Sequence, residues 1–404
     1  MKRFLYGSIL IVFLAEAALF LSHGASIEKF KNMVASVFFS DSITAADLHN
    51  KYSLSKNGGP KIKILIVPGH EKNDGGTEFM GIREAELNVL AGEELALLFR
   101  QGGEFEVVLS RGKDDSNQTI EKYLRENRGA IESYIKAKVG IMNSLVEGGG
   151  VSKTVGVIHN RAVSEMVLKL YGINKWANEN GIDIVLHIHF NDYFREYSGV
   201  SGEYSGFAVY VPEKQYSNSK ASIALAQPIL QQLSRFYPIS NLPKEDRGIV
   251  EDQKLIAVGA YNTLDTAGIL IEYGYIYEPQ FVKKAIREKM IKDLAFQTYL
   301  GLERFFGVMD GPRSRGTSFL PHTWNNPMEE GTEGSLDVLS LQAALVAEGL
   351  YPPAGFDFHD CPLTGNFKNC TALSVKKFKE KYGLSRGSFI RTETIKKLNE
   401  LFSQ

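Results

Sequence analysis

The sequence predicts an α/β fold, an open sheet with helices packed on it, followed by a small helical domain at the C-terminus. Short apolar runs alternate with amphipathic stretches of helical period, which is typical of strands and helices that alternate along the chain. A segment rich in Gly, Pro, Ser and Asn at residues 311–334 separates a C-terminal part from the rest. The length of 404 residues also exceeds that of a typical single domain.

Five apolar runs are predicted to form the strands of the sheet. The first, at residues 62–67, is compact and is followed by Pro68 and Gly69, as expected for a strand buried on both faces. The other strands are predicted at residues 105–109, 182–190, 207–211 and 269–273. Helices are predicted between them, at residues 84–100, just before Gly181 and near residues 222–236.

The N-terminus has the pattern of an export segment. Lys2 and Arg3 precede an apolar run at residues 4–21, and small residues follow it. This order predicts a signal peptide over residues 1–24, and the run is nearly long enough to be an uncleaved membrane anchor instead. A buried helix of the fold is the less favoured alternative. Export places the protein in the periplasm, the cell wall or the extracellular space, and residues 25–60 are then predicted to be a linker.

Composition excludes several classes of ligand site. The formal net charge is −1 at pH 7, so the chain lacks the basic field of a protein whose main ligand is nucleic acid. Cys361 and Cys370 are the only cysteines, too few for a thiolate metal site. Any transition metal must therefore be held by histidine and carboxylate. An oxidising environment permits a disulfide between the two cysteines.

A charged stretch at about residues 112–160 is predicted to be a helical insertion into the sheet domain. Two interpretations are open. The insertion is either a lid that covers an active site or a solvated segment at the surface, and the second interpretation is favoured.

Coordinating side chains cluster at three predicted strand ends. His70 follows the first strand, and His187 and His189 lie near the end of the third. Glu272 lies at the end of the fifth. Ligands of open α/β sheets bind outside the carboxyl ends of the strands, so these side chains are expected to meet at one edge. Glu84, at the start of the first helix of the sheet domain, can fold back over the same edge.

Two imidazoles and one carboxylate form the kind of three-ligand set that catalytic zinc uses, with the fourth position left for water. Zinc lowers the pKa of such a water to about 7, and a further carboxylate is needed to carry its proton to a departing amine. Glu272 is the candidate for that role. Each residue alone has an ordinary explanation: Glu84, for example, suits the first turn of any helix. Their convergence is what indicates a metal site.

Four segments carry a resemblance to a known family. They are, in chain order, residues 64–70 (ILIVPGH), 81–88 (GIREAELN), 188–191 (IHFN) and 269–274 (ILIEYG). Together they resemble the successive motifs of zinc-dependent N-acetylmuramoyl-L-alanine amidases of the family 3 type, over residues 61–308.

The resemblance implies a mixed sheet of about six strands with helices on both faces. It also implies that His70, Glu84 and His189 bind Zn²⁺ and that Glu272 is the catalytic acid and base.

Two neighbours of His189 are further candidates. In a strand, His187 and His189 face the same side, so periodicity does not decide which of them binds metal. The motif assigns His189, and a supporting or substrate-binding role is predicted for His187. Asn191 is a candidate substrate-binding residue, with the capping of a turn as the favoured alternative.

Residues 335–402 resemble the small three-helix peptidoglycan-binding domain, and residues 309–334 are predicted to link it to the sheet domain. The resemblance lies mainly in apolar spacing and includes Leu341, Val375 and Leu398. It implies that this part binds peptidoglycan. A helical cap on the catalytic domain is the alternative.

The sequence therefore predicts a cell-wall hydrolase that uses zinc-activated water to cleave the amide bond between N-acetylmuramic acid and L-alanine. Peptidoglycan is the expected partner, residues 4–21 are a candidate membrane tether, and an activator protein is left open. A zinc peptidase or deacetylase on the same scaffold is one alternative. A catalytically inactive protein that binds peptidoglycan or regulates other enzymes is another.

Overall fold

The structure is a computed structural model that describes residues 41–71, 76–114, 116–157, 163–197, 199–308 and 316–403. The predicted signal peptide or anchor lies outside the described residues. Within the described ranges, no helix is both long enough and apolar enough to cross a membrane.

Strands and helices alternate through the sheet domain, and the chain ends in helices. The strands are β1 (Ile62–Pro68), β2 (Glu78–Phe79), β3 (Ile82–Arg83), β4 (Phe105–Leu109), β5 (Ile184–Asn191), β6 (Ala208–Pro212), β7 (Ile249–Asp252) and β8 (Ala267–Tyr275). The helices are α1 (Ala45–Lys56), α2 (Glu84–Gln101), α3 (Gln118–Glu126), α4 (Arg128–Glu147), α5 (Ser164–Glu179), α6 (Ser219–Leu233), α7 (Pro279–Val282), α8 (Lys284–Phe305), α9 (Leu336–Ala347), α10 (Asn369–Lys381) and α11 (Thr392–Phe402).

Six of these strands form one mixed sheet in the order β4-β1-β5-β8-β6-β7. The four strands from β4 to β8 are parallel, whereas β6 runs antiparallel to β8 and parallel to β7. The prediction of a mixed sheet of about six strands with helices on both faces is confirmed. The strand β7 was not predicted from the sequence. β2 and β3 form a separate two-stranded hairpin.

Different helices cover the two faces of the sheet. Ile64 and Leu186 pack into a core with α2, α6 and α8, whereas Val185 packs with Trp176 of α5 on the opposite face. Side chains alternate between the faces of a strand, so His187 and His189 share the face of Val185.

Part of the predicted linker over residues 25–60 belongs to the folded core. The side chain of Thr44 accepts a hydrogen bond from the backbone of Asp47 and caps α1. Leu48 and Tyr52 of this helix are buried in the main core, and the Tyr52 ring stacks on that of Phe306 at 4.3 Å. Apolar burial therefore makes α1 an integral element and not a connector.

The described part of the predicted insertion is a pair of helices, α3 and α4. Ile131 and Met142 of α4 are buried, and Lys138 Nζ donates a hydrogen bond to the carbonyl of Asn262 at 3.2 Å. α4 packs mainly against α5 and against the short 3-10 helix at residues 260–262. The insertion is thus a helical layer packed beside α5.

The three C-terminal helices pack directly on the sheet domain. One continuous core contains side chains from both parts, and a Cβ on Gly365 would lie 2.6 Å from Ile286 Cδ1 of α8. The segment at residues 316–334, predicted as linker, is packed as well. Its Trp324 is fully buried and donates from Nε1 to the carbonyl of Asp337 at 2.9 Å. Cys361 and Cys370 form a disulfide in this part, with their Cα atoms 5.9 Å apart.

Candidate metal centre

The carboxyl ends of β1, β5 and β8 meet at one edge of the sheet. His70 lies two residues after the end of β1, His189 lies in β5, and Glu272 lies in β8. His189 and Glu272 are register partners on neighbouring parallel strands. Side chains that were predicted from separate motifs therefore converge at the expected edge.

A tight turn directs the side chain of His70 back over the sheet. The backbone N–H of Gly69 still pairs with the carbonyl of Ile188 at 2.8 Å, and His70 then has a positive φ of 62°. A left-handed conformation is unfavourable for a residue with a Cβ and is found mostly where function requires it. This backbone places the imidazole of His70 beside Glu84 and not along the direction of β1.

Glu84 contacts both histidines through its two carboxylate oxygens. Its Oε2 lies 3.0 Å from His70 Nε2, and its Oε1 lies 3.0 Å from His189 Nδ1. The two imidazole rings meet edge to face with centroids 5.1 Å apart. One donor atom from each of the three residues lies within 4.8 Å of the others. The structure thus brings together the three residues that the family motif marks as metal ligands.

The carboxylate of Glu84 is held in its charged form. The side chain is buried at the first residue of α2 and accepts hydrogen bonds from the backbone N–H groups of Thr77 at 3.2 Å and Phe190 at 3.4 Å. Burial opposes ionisation, but hydrogen bonds from His189 and His70 outweigh it and hold the pKa of Glu84 well below its ordinary value. A stable anion at this point suits a cation between the two rings.

Two residues for which no role was predicted stabilise the turn at Gly69 and His70. Asn88 Nδ2 donates to the carbonyl of Gly69 at 3.0 Å and to Glu84 Oε1 at 3.3 Å. Arg111 is buried and donates to the carbonyls of Pro68 at 3.2 Å and Gly69 at 2.5 Å. Asn88 lies one helical turn after Glu84, so its spacing could have revealed it. Arg111 could have been found from its position just beyond the end of β4.

Gly69 packs against the ring of His189. A Cβ on Gly69 would lie 2.1 Å from His189 Cε1, although the backbone itself does not require glycine. We expect Gly69→Ala to displace this ring and lower the free energy of unfolding by about 1–3 kcal/mol. Urea unfolding in the presence of a chelator measures the change without metal. Gly103→Ala, whose Cβ has no neighbour within 4 Å, is the matched control, and equal stability of the two variants would contradict the prediction.

Glu272 is a half-buried carboxylate at the same edge. Its Oε2 atom is buried, and it has no hydrogen-bond partner among the residues that the structure describes. Burial raises the pKa of Glu272 well above its ordinary value, and the nearby carboxylates of Glu84 and Glu245 raise it further. A carboxyl group in such surroundings holds a proton at a higher pH than an exposed glutamate does.

The raised pKa of Glu272 predicts how stability depends on pH. Ionising this group costs more in the folded chain than in the unfolded chain, so its contribution to stability is lost as pH rises from 4.5 through the raised pKa. We expect metal-free Glu272→Gln to be more stable than the metal-free parent at about pH 7, by about 1–3 kcal/mol. The two should converge below pH 4.5.

Urea unfolding in chelator across this pH range tests the expectation. Glu106→Gln, at an exposed position of β4, is the control and should follow the parent at every pH. A constant difference between Glu272→Gln and the parent would contradict the assignment to ionisation.

A second carboxylate, Glu245, is buried and acts electrostatically on Glu272. It is 1% exposed and accepts hydrogen bonds from the hydroxyls of Tyr210 and Ser240 and, at 3.2 Å, of Tyr275. These donors satisfy its oxygens, as buried polar atoms require. No pattern in the sequence marks Glu245, because it lies in a loop far from the family motifs.

The polar groups of Asn191 are both used inside the protein. Its Oδ1 accepts from the backbone N–H of Asp192 at 2.9 Å, and its Nδ2 donates to Glu245 Oε1 at 3.3 Å. This arrangement suits the capping of a turn, the alternative considered for Asn191. Substrate binding by this residue stays a prediction.

His187 lies beneath the metal centre and has no exposed surface. Neither ring nitrogen has a hydrogen-bond partner within the described ranges. Burial, with a smaller effect from His189, lowers the pKa of His187 to about 3, so the ring is neutral at physiological pH. A fully buried ring offers no surface to a polymer, which argues against substrate binding by His187 and leaves the supporting role.

Comparison with known proteins identifies the family of the sheet domain. A family model described as N-acetylmuramoyl-L-alanine amidase matches residues 64–304, which is more than half of the chain and includes every residue of the candidate site. A search of curated proteins finds no match.

Solved structures of low sequence identity also align with this chain. An N-acetylmuramoyl-L-alanine amidase from Clostridium difficile 630 is 18% identical, with 61% of this chain and 97% of that chain covered and a TM-score of 0.37. The CwlD amidase from Clostridioides difficile, in complex with the GerS lipoprotein, is 16% identical, with 62% and 100% covered and a TM-score of 0.40. AmiC2 of Nostoc punctiforme is 17% identical, with 61% and 98% covered and a TM-score of 0.37.

Proposed function

Since this chain belongs to the N-acetylmuramoyl-L-alanine amidase family, which hydrolyses the amide bond between N-acetylmuramic acid and L-alanine in peptidoglycan, we propose that it does so with zinc. His70, Glu84 and His189 hold the ion in this proposal, and Glu272 carries the proton. The observation that carries the proposal is the convergence of two imidazoles and one buried carboxylate within 4.8 Å of one another.

The donor set fits zinc. Two histidine nitrogens and one carboxylate oxygen are among the three-ligand sets of catalytic zinc sites, whereas Mg²⁺ and Ca²⁺ prefer oxygen ligands. Glu84 bridges the two imidazoles, so the three side chains already face a common point. Asn88 and Arg111 fix the backbone around His70, as supporting hydrogen bonds do in metal sites.

The chain's own groups account for the proton transfers of the reaction. Zinc held by His70, Glu84 and His189 would lower the pKa of water to about 7 and would polarise the scissile carbonyl. Glu272 takes a proton from the attacking water and passes it to the departing amine nitrogen of L-alanine. Its raised pKa suits both transfers, because the group can hold the proton between them.

Product analysis separates this function from its alternatives. Purified protein is incubated with peptidoglycan sacculi, with and without chelator, and the products are identified by mass spectrometry. Amide hydrolysis releases stem peptides with a free L-alanine amino group, and chelator should stop the release. A cleaved peptide bond would assign a peptidase, and released acetate would assign a deacetylase. A protein without bound metal and without products would be a binding protein.

We also propose that the protein is exported and that the three C-terminal helices bind peptidoglycan. The basic and apolar start of the sequence, the disulfide and the extracytoplasmic location of the substrate support export. The length and apolar spacing of α9, α10 and α11 support the second proposal. Mass analysis of the exported protein distinguishes a cleaved signal from a retained anchor.

A further inference from the structure

An exposed aromatic loop leaves the end of β5 beside the metal centre. We call residues 192–206 the aromatic loop, of which the structure describes all but residue 198. Tyr193 is 44% exposed, Phe194 is 84% exposed and Tyr197 is 66% exposed. Burying such rings is favourable, so three of them exposed within five residues indicate a surface that binds something.

The start of the loop is fixed next to the metal centre. The hydroxyl of Thr77 donates to the carboxylate of Asp192, and the backbone N–H of Thr77 donates to Glu84. Arg195 donates to both oxygens of Asp192, from Nε at 3.0 Å and from Nη2 at 2.8 Å. Its Nη2 also donates to the carbonyl of Glu78 at 2.9 Å. Arg195 is therefore turned inward, while its neighbour Phe194 faces solvent.

The end of the loop is fixed on the C-terminal helical part. Ser205 Oγ and His359 Nδ1 share a hydrogen bond of 2.9 Å, which joins the loop to the chain between α9 and α10. The hydroxyl of Tyr277 donates to the carbonyl of Tyr204 at 2.9 Å, and the ring of Tyr193 packs edge to face on that of Tyr204 at 4.6 Å. The loop therefore extends from the metal centre to the C-terminal helices, and an extended ligand could follow it.

The charges on the loop indicate what kind of ligand this is. Its single cation is Arg195, which binds Asp192, whereas Glu196 and Glu203 are exposed. Exposed carboxylates repel the carboxylate-bearing stem peptides and other anions. Uncharged sugar rings have no such penalty, and their C–H faces pack well on the faces of aromatic side chains.

We propose that the aromatic loop is a stacking platform for the glycan strand of peptidoglycan. Phe194 and Tyr197 each present a ring face to sugars near the one whose lactyl amide is cleaved. The proposal rests on the family function for the identity of the polymer, and it adds a glycan-binding role for residues outside the family motifs. It also assigns Arg195 and Asp192 as the pair that orients the loop.

The experiment measures binding without turnover. The full chain carrying Glu272→Gln is sedimented with intact sacculi and, separately, bound to immobilised glycan strands from which the stem peptides have been removed. We expect Phe194→Ala combined with Tyr197→Ala to weaken binding to both polymers by at least about 10-fold. Leu97→Ala, which removes an apolar side chain that is 52% exposed on α2, is the matched control and should bind like the parent.

Replacements that keep or lose the ring face sharpen the test. Phe194→Trp combined with Tyr197→Trp should bind like the parent. Phe194→Leu combined with Tyr197→Leu should bind as weakly as the double alanine variant, because leucine keeps apolar area but has no ring face. Restoration by leucine would overturn the stacking platform, and so would unchanged binding by the double alanine variant. A loss confined to intact sacculi would assign the loop to stem peptides instead. The C-terminal helices are present in every variant, so their contribution is constant.

The binding experiment can be interpreted whether or not the proposed zinc mechanism is correct. If Glu272→Gln still releases stem peptides, the proposed proton carrier is wrong, but the comparison of binding between ring variants is unaffected. In the active background, the same double alanine variant should raise KM for sacculi and leave kcat nearly unchanged, because the rings contact polymer and not the reacting atoms.

Discussion

Glu272→Gln is expected to bind zinc and to release no stem peptide from sacculi. Glutamine keeps the size of the side chain, but it can neither accept the proton of the attacking water nor deliver one to the departing amine. General acid and base catalysis contributes about 10²–10⁴-fold, so we expect a loss of about 10³-fold in kcat. Stem-peptide release measured by mass spectrometry, together with zinc analysis of the same sample, gives both quantities.

A matched control lies near the opposite end of the same strand. Asp265 precedes β8 at its amino end, away from the metal centre, and Asp265→Asn should keep both zinc and turnover. Turnover by Glu272→Gln close to that of the parent would remove Glu272 from the mechanism. Loss of zinc from this variant would show that Glu272 is a ligand, which is not its proposed role.

Glu84→Gln is expected to lose zinc and, with it, activity. The carboxylate of Glu84 is the negative ligand of the site, and its two oxygens face both imidazoles at 3.0 Å. A neutral amide supplies one acceptor oxygen and one donor NH₂ group, so it cannot accept from both rings. We expect zinc affinity to fall by at least about 100-fold, since even supporting residues of metal sites contribute 10- to 100-fold.

Glu86→Gln, two residues along α2 and exposed, is the control for the loss of one negative charge in the first helical turn. It should bind zinc and cleave sacculi like the parent. Competition with a chromophoric chelator measures the affinities of all three proteins. If Glu84→Gln retains stoichiometric zinc and full turnover, the proposed ligand set is wrong.

The sheet could be predicted from the sequence because its strands are compact apolar runs that end in turn residues. β1 and β5 are buried on both faces, and this pattern separates them from the amphipathic helices between them. β7 was missed because four residues with alternating burial on an edge strand carry little signal. The order of the strands was not predicted, since an apolar run does not specify its neighbours.

The candidate metal ligands could be predicted because they lie at or near the ends of strands and belong to motifs. Glu245 could not, since it contacts hydroxyl groups that only the folded chain brings near. Two predicted linkers were partly wrong for a similar reason. Helix α1 and the segment around Trp324 look polar in sequence, yet a few large side chains bury them against the core.

One apolar core runs through the sheet domain and the three C-terminal helices without a break. A module on a flexible tether could search the wall while the enzyme worked elsewhere, but these two parts must turn and travel together. A wall polymer bound by the helices would therefore lie at a fixed distance from the candidate active site. If the C-terminal helices bind the wall polymer as proposed, the rigid core fixes the distance between the bound polymer and the candidate active site, and this distance determines which bonds along a strand can be cleaved.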